Sequence, residues 1–236
     1  MIEIGREYIA TEVSMISSFL AMPRVGHLAA AINIMGYMRL HHNSWLFLDP
    51  TYPVLDHSSF IDGAELADFY GDTTEAIPLN MPEPSGKYID LRLMCDSDHA
   101  GDKSTRRSRT GYLIFINMEL IAWLSKKQPT VQSSVFGAEF VAMKAGMEHL
   151  CGIWYKLRMM GVPLSGPSYI YGDNMSVIYN TQRPESTLEK KLTSSVTTLW
   201  DNLWQWVSAW PHTSQLKTTS QTWWLKSYMA QRRGEL

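Results

Sequence analysis

The most regular hydrophobic pattern lies between residues 88 and 183, where apolar and polar positions alternate over short runs. Such alternation is typical of half-buried strands. Three strands are predicted here: residues 88–95 (YIDLRLMC), 110–117 (TGYLIFIN) and 120–125 (LIAWLS). Because only the short turn around Met118 and Glu119 separates the second run from the third, these two are expected to form a hairpin.

A helical pattern follows the third strand. Ser133 or Ser134 can cap its start, and residues 161–163 (GVP) end it. One apolar stripe recurs along this helix at Phe136, Phe140, Met143, Met147 and Leu150. A short strand at 168–171 and a short helix at 174–181 complete the order β-β-β-α-β-α, which predicts an α/β fold with a mixed sheet and flanking helices.

The rest of the chain is less regular. The best helix before residue 50 runs from Gly26 to Leu40, and residues 45–48 are expected to form a short strand. Residues 50–87 are rich in Pro, Asp, Gly and Ser, which indicates a surface connection with one short helix near 64–70. Residues 192–236 contain six of the nine Trp residues but follow neither a helical nor a strand period.

Composition and charge narrow the function classes. A chain of 236 residues that is 45% hydrophobic can bury a core, and a net charge of −2 excludes a polybasic coating while allowing a local basic patch. No run approaches the ~20 apolar residues of a membrane helix, and the first residues do not resemble a signal peptide. Two cysteines, Cys95 and Cys151, predict no disulfide framework and therefore a reducing, intracellular setting.

Three acids occupy distinctive positions on the predicted elements. Asp96 follows the first strand, Glu139 lies one turn inside the long helix, and Asp173 follows the fourth strand. Strand ends and a first helical turn can converge at the carboxyl edge of an α/β sheet. Clustered carboxylates suit Mg²⁺, with Mn²⁺ as an alternative, and two such ions can drive phosphodiester hydrolysis. The alternative interpretation is that these acids have only structural roles, with each Asp in a turn. Glu139 does not suit such a role, because its neighbours on the helix are apolar.

Basic residues lie close to these acids in the sequence. The loop after the first strand contains Lys103, Arg106, Arg107 and Arg109, and the third strand ends at Lys126 and Lys127. Such side chains can hold a phosphate backbone without reading its sequence. A solvated loop is the alternative interpretation. His99 has no partner at ligand spacing, so a surface or hydrogen-bonded histidine is the simpler interpretation there.

Five ordered motifs between residues 96 and 174 resemble the ribonuclease H domain of copia-type retrotransposon polyproteins. They match D-x-D-x-A-G-D at 96–102, T-R-[RK]-S-x-[ST]-G-[YF] at 105–112, W-x-S-K-K-Q-x-T-V at 123–131, A-E-[YF]-x-A at 138–142 and D-N at 173–174. Residues 23–37 resemble, more weakly, the end of the reverse transcriptase region. Phe136 and Gly137 depart from the family's frequent Thr-Glu, but the following acid, Glu139, is kept.

This resemblance implies a fold and an activity. The fold is a ribonuclease H-like mixed sheet, and Asp96, Glu139 and Asp173 would bind Mg²⁺ and cleave the RNA strand of an RNA–DNA hybrid without a small-molecule cofactor. Contacts to nucleic acid are implied for Arg106, Lys126, Lys127 and Asn174. The competing interpretation is a catalytically inactive remnant that binds nucleic acid weakly. A transposase of the same fold is disfavoured by the motif set.

The resemblance also divides the chain. Residues 1–50 correspond to the end of the reverse transcriptase and its connection, 51–87 to a linker, 88–191 to the ribonuclease H-like domain and 192–236 to a tail. The polymerase palm is absent, so we expect no DNA synthesis, and Met1 falls inside the family's connection. The family's last catalytic Asp and its last helix are not found in the tail.

Codon degeneracy offers a cause for the unusual tail. Some of the codons that can encode residues 195–198 also encode Cys-Tyr-His when translation is shifted to start at the third base of each codon. In the same frame, residues 204–208 can give Ala-Met-Gly-Glu and residues 216–226 can give Glu-Asp-Asn-Leu-Ala-Asp-Leu-Val-Ala-Lys, which are the missing family motifs in order. We hypothesise a frameshift near Lys191 that leaves the tail non-native and poorly ordered. Genomic codons incompatible with that frame would rule it out.

Overall fold

The computed structural model describes residues 6–43, 49–54, 80–164, 168–182 and 217–219. A 3₁₀ turn, Glu7–Ile9, precedes helices α1 (Ala10–Ser17) and α2 (Val25–Leu40), and two further helices are α3 (Val135–Met159) and α4 (Met175–Gln182). The strands are β1 (Leu91–Asp98), β2 (Arg109–Ile116), β3 (Glu119–Lys127), β4 (Tyr169–Tyr171) and β5 (Lys217–Thr219). None of the helices in these ranges has the length and apolar character needed to cross a bilayer.

The strands form one mixed sheet in the order β3-β2-β1-β4-β5. β1, β2 and β3 pair antiparallel, whereas β4 pairs parallel with β1 and β5 pairs parallel with β4. Helix α3 makes the crossover between β3 and β4, as a parallel pair requires. The predicted α/β fold with a ribonuclease H-like mixed sheet is confirmed. The predicted loss of the native last helix concerns residues outside the described ranges.

Side chains of β1 alternate between two hydrophobic clusters on opposite faces of the sheet. Leu91, Leu93 and Cys95 belong to the cluster that packs against α3, whereas Met94 belongs to the cluster on the other face. The apolar stripe predicted for α3 supplies the helical side of the first cluster: Phe140, Met143, Met147 and Leu150 are buried, and Phe136 is partly buried. The long helix therefore fixes its register on the sheet through hydrophobic burial.

Element boundaries agree with the predicted ones to within two residues, except at β1. This strand begins at Leu91 and continues through Asp96 to Asp98, because β2 pairs with it along its whole length, from Leu91 opposite Ile116 to Asp98 opposite Arg109. The helix predicted at 26–40 is α2, which begins at Val25. The predicted strand at 45–48 and helix near 64–70 lie outside the described residues, as does all of the tail except β5.

The N-terminal segment contacts the sheet. Helix α1, which the sequence pattern did not predict, packs against β3, and Ile9 and Ala10 are buried. The Arg109 guanidinium donates a hydrogen bond to the Ser14 hydroxyl, and the Asp49 N–H donates to a Glu119 carboxylate oxygen at 2.8 Å. Parts of the predicted polymerase remnant thus lie against the sheet, and the Thr51 carbonyl of the predicted linker accepts a hydrogen bond from the Met118 N–H at 3.2 Å. The boundaries at 50, 87 and 191 stay predictions.

Gly146 provides a test of the α3–β1 packing. A Cβ atom added there would lie 2.8 Å from Cδ1 of Leu93, which is fully buried and cannot move aside freely. Although Gly→Ala improves helix propensity by about 1 kcal/mol, we expect Gly146→Ala to lower the free energy of unfolding by about 1–2 kcal/mol through overpacking. Gly152→Ala on the same helix meets no atom within 4 Å and should be neutral or stabilising. Urea unfolding in which both variants gain stability would contradict the described packing.

Candidate metal centre

Three carboxylates meet at one edge of the sheet. Asp96, Glu139 and Asp173 each offer one oxygen, and these three oxygens lie within 4.8 Å of one another. Glu139 is buried, whereas Asp96 and Asp173 are exposed. The structure therefore brings together the three acids that the sequence singled out. Oxygen donors at this spacing, open to solvent on one side, form a donor set that Mg²⁺ accepts while keeping bound waters.

Sheet topology explains why the two aspartates are neighbours. Met94 on β1 lies opposite Tyr171 on β4, and the two strands run parallel. Asp96 and Asp173 follow this pair by two residues each, so both reach the same edge of the sheet. The carboxyl ends of adjacent parallel strands meet at one edge of a sheet, and this places the two carboxylates near each other.

The start of α3 positions the third acid. Ser134 caps the helix, and its hydroxyl accepts a hydrogen bond from the Gly137 N–H at 3.2 Å. Glu139 follows one turn later. The buried Gln128 side chain ties this turn to the sheet, since its Nε2 donates to the Ala138 carbonyl at 3.0 Å and to the Thr110 hydroxyl at 3.1 Å. Gln128 was part of a sequence motif, but no pattern indicated this role, because it depends on where α3 docks.

Burial and mutual repulsion perturb the carboxylates. The pKa of Glu139 is raised to about 7, first by burial and then by the negative charges of Asp173 and Asp96, while the nearby Ser97 favours the charged form to a smaller extent. Burial, and to a smaller extent the negative charges of the same three acids, raise the pKa of the Cys95 thiol, which therefore stays neutral. A divalent cation would reverse this electrostatic penalty, because it supplies the positive charge that the cluster needs.

Glu139 makes the stability of the metal-free protein depend on pH. Its folded pKa lies above the value of 4.5 expected for an unfolded chain, so the folded state binds more protons between pH 4.5 and 7, and stability falls as pH rises through that window. We expect Glu139→Gln in EDTA to be about 1–2 kcal/mol more stable than the parent chain at pH 8, and equally stable at pH 4.

A matched substitution on the same helix separates this effect from general surface changes. Glu148 is exposed and pairs with Lys144 at 3.5 Å, so Glu148→Gln should alter stability by no more than about 0.5 kcal/mol at either pH. The measurement is urea unfolding of the three proteins across pH 4–8. Equal pH dependence of the parent chain and Glu139→Gln would show that Glu139 is not electrostatically strained.

The residues predicted to contact nucleic acid differ in their surroundings. Lys126 and Arg106 are exposed, whereas Lys127 forms an ion pair with Asp102 at 2.9 Å. Asn174 caps α4, since its Oδ1 accepts from the Ser176 N–H at 3.0 Å and the Val177 N–H at 3.3 Å. Lys127 and Asn174 thus also organise the protein, and the nucleic-acid contacts of all four residues stay predictions.

Comparison with known proteins finds transposon polyproteins from plants. The chain is 26% identical over 182 residues to the retrovirus-related Pol polyprotein from transposon RE1 of Arabidopsis thaliana. The aligned region covers 76% of the chain and 10% of that protein. It is 33% identical over 99 residues to the corresponding RE2 polyprotein, covering 42% of the chain and 7% of that protein. The TNT 1-94 polyprotein of Nicotiana tabacum is 36% identical over 89 residues, covering 37% and 7%.

These matches confirm the resemblance to copia-type retrotransposon polyproteins. The chain spans a tenth or less of the length of these curated relatives. No protein-family model matches it.

Proposed function

The chain is a retrotransposon-derived relative of the Pol polyproteins of copia-type elements, and from this premise we propose that it cleaves the RNA strand of RNA–DNA hybrids in a reaction that depends on Mg²⁺ or Mn²⁺. One observation carries the proposal: oxygens of Asp96, Glu139 and Asp173 lie within 4.8 Å of one another at the edge of a ribonuclease H-like sheet. No small-molecule cofactor is needed for this chemistry.

The donor set fits hard divalent cations. All three side chains are carboxylates, with no thiol or imidazole among them, and such oxygen-only sites favour Mg²⁺ or Mn²⁺ over Zn²⁺. When bound, such ions supply activation of a water nucleophile and stabilisation of the leaving oxygen in phosphodiester hydrolysis. Asp96 and Asp173 would hold the metal from the solvent side, and Glu139 would hold it from the protein interior.

Glu139 has a second role in the proposed reaction. Its place on α3, fixed by the Ser134 cap and the Gln128 bridge, holds it against the sheet. Glu139 would therefore orient the attacking water, while the exposed aspartates would face the scissile phosphate.

Substrate choice follows from the shape of the hybrid. A protein distinguishes RNA from DNA through 2′-hydroxyl contacts and groove shape, whereas phosphate contacts carry no such information. The exposed cations Lys126 and Arg106 would supply backbone contacts that position either duplex. The preference for hybrid over DNA duplex must then come from contacts next to the metal centre.

A cleavage assay tests the proposal. A hybrid labelled at the 5′ end of its RNA strand is incubated with the purified chain in Mg²⁺, in Mn²⁺ and in EDTA, with a DNA duplex of the same sequence as the control substrate. We expect internal cleavage of the RNA strand with either metal, none in EDTA and none of the DNA duplex. Binding of the hybrid without cleavage in either metal would instead identify an inactive remnant.

A further inference from the structure

A cavity of about 280 Å³ lies between the end of α1 and the loop that joins β1 to β2. Met15 and Phe19 form an apolar wall on the α1 side. Four cations line the opposite side: Lys103, Arg107, Arg109 and Lys127. The cavity is therefore built jointly by the N-terminal segment and the sheet, and neither part forms it alone.

Two of the four cations are already engaged. Lys127 pairs with Asp102 at 2.9 Å, and the Arg109 guanidinium donates to the Ser14 hydroxyl. Lys103 and Arg107 are exposed and form no ion pair with another described residue. With Asp98 and Asp102 as the acids of the lining, the cavity carries a net positive charge in a chain whose overall charge is −2.

The loop that presents these cations is held in one shape. Asp102 accepts hydrogen bonds from the Ser104 N–H at 3.0 Å and from the Thr105 hydroxyl at 2.8 Å, in addition to its Lys127 ion pair. Ser108 is fully buried, and its hydroxyl accepts from the Ala100 N–H at 3.1 Å. Lys103 and Arg107 therefore project from a turn that these hydrogen bonds hold in place, so less conformational entropy is lost when the turn binds a ligand.

The cavity lies beside the metal centre. Asp98 lines it, and Asp98 follows Asp96 by two residues on the same strand, a distance of about 6.6 Å. Successive phosphates of one strand in a duplex are about 3.4 Å apart along the helix axis. Asp98 therefore places one side of the cavity within a few nucleotides of a strand whose phosphate lies at the three carboxylates.

We propose that this cavity is an anion subsite in which Lys103 and Arg107 bind a backbone phosphate of the nucleic acid held at the metal centre. The inference rests on the proposed function for its ligand, but it concerns affinity and not cleavage. Charge-assisted hydrogen bonds from these two cations to a phosphate are stronger than bonds between neutral groups. Helix α1 would then contribute to substrate binding as one wall of the subsite.

Hybrid binding in EDTA tests the subsite without any cleavage. Fluorescence anisotropy of a labelled RNA–DNA hybrid is measured from about 50 to 200 mM KCl for the parent chain, Lys103→Gln and Arg107→Gln. Each variant should bind about tenfold more weakly at the lowest salt, and the slope of log K against log [KCl] should fall by about one. Lys156→Gln removes an exposed cation near the far end of α3 and should leave both quantities unchanged.

A variant that fills the cavity tests whether the phosphate binds inside it. Ser18 lines the cavity, so Ser18→Tyr fills the space without removing a charge, and it should weaken hybrid binding as much as Arg107→Gln does. Loss of affinity in the charge variants but not in Ser18→Tyr would overturn the cavity as the binding site, as would unchanged affinity in all three. Cleavage by the parent chain, together with hybrid binding that does not depend on Lys103 or Arg107, would overturn the subsite alone. Hybrid binding that depends on Lys103 and Arg107, without cleavage, would overturn the proposed function alone.

Discussion

Asp96→Asn should lower the rate of hybrid cleavage by about 10²–10³-fold, because a metal ligand that stabilises developing charge is removed. Asp96 is exposed, so its substitution should alter the free energy of unfolding little, and the loss can be read as a catalytic effect. Single-turnover cleavage of the labelled hybrid in Mg²⁺ gives the rate. Asp173→Asn should cause a loss of the same order.

A double variant tests whether Asp96 and Asp173 belong to one metal site. If the two aspartates act as one metal site, Asp96→Asn with Asp173→Asn should be scarcely slower than either single variant, because residues that act as a unit are not additive. Glu148→Gln, an exposed acid on α3 outside the cluster, should cleave at the parental rate. Losses that multiply in the double variant, or a loss in Glu148→Gln, would argue against a single centre made of these acids.

Phe140→Ala should destabilise the domain by about 3–5 kcal/mol, a large part of the 5–15 kcal/mol that typically separates folded from unfolded states. Phe140 is 2% exposed and belongs to the cluster between α3 and the sheet. Its removal leaves a cavity next to Glu139, so hybrid cleavage should fall together with stability. Urea unfolding followed by circular dichroism measures the change.

Val135→Ala is the matched control for this effect. Val135 is the first residue of the same helix and is 53% exposed, so its replacement should alter the free energy of unfolding by no more than about 0.5 kcal/mol. A cost below about 1 kcal/mol for Phe140→Ala would mean that α3 does not pack on the sheet as described.

Much of the fold could be predicted from local pattern. The apolar stripe of α3 is long and regular, so its burial followed directly from helical periodicity. The three acids could be placed near one another because each ends or begins a strongly patterned element, and β-α-β topology brings such ends to one edge. Helix α1 was missed because its residues show no clear stripe, and its position depends on contacts with β3 that are distant in sequence.

Side-chain partners were the least predictable part of the site. No pattern in the sequence indicates that Lys127 pairs with Asp102, 25 positions earlier in the chain, or that Asn174 caps α4. The cavity beside Asp98 could not be foreseen, because one wall comes from α1. These features arise when distant segments pack, and no periodicity along the chain encodes them.

Binding of Mn²⁺ tests most directly whether Asp96, Glu139 and Asp173 form one divalent-metal site. The free ion is followed by electron paramagnetic resonance while it is titrated into the parent chain and into Glu139→Gln at pH 8. Because this variant is expected to be more stable than the parent chain without metal, weaker binding cannot be attributed to unfolding. We predict saturable binding by the parent chain and at least about tenfold weaker binding by the variant. Equal affinity and stoichiometry in the two proteins would contradict a metal centre at these carboxylates.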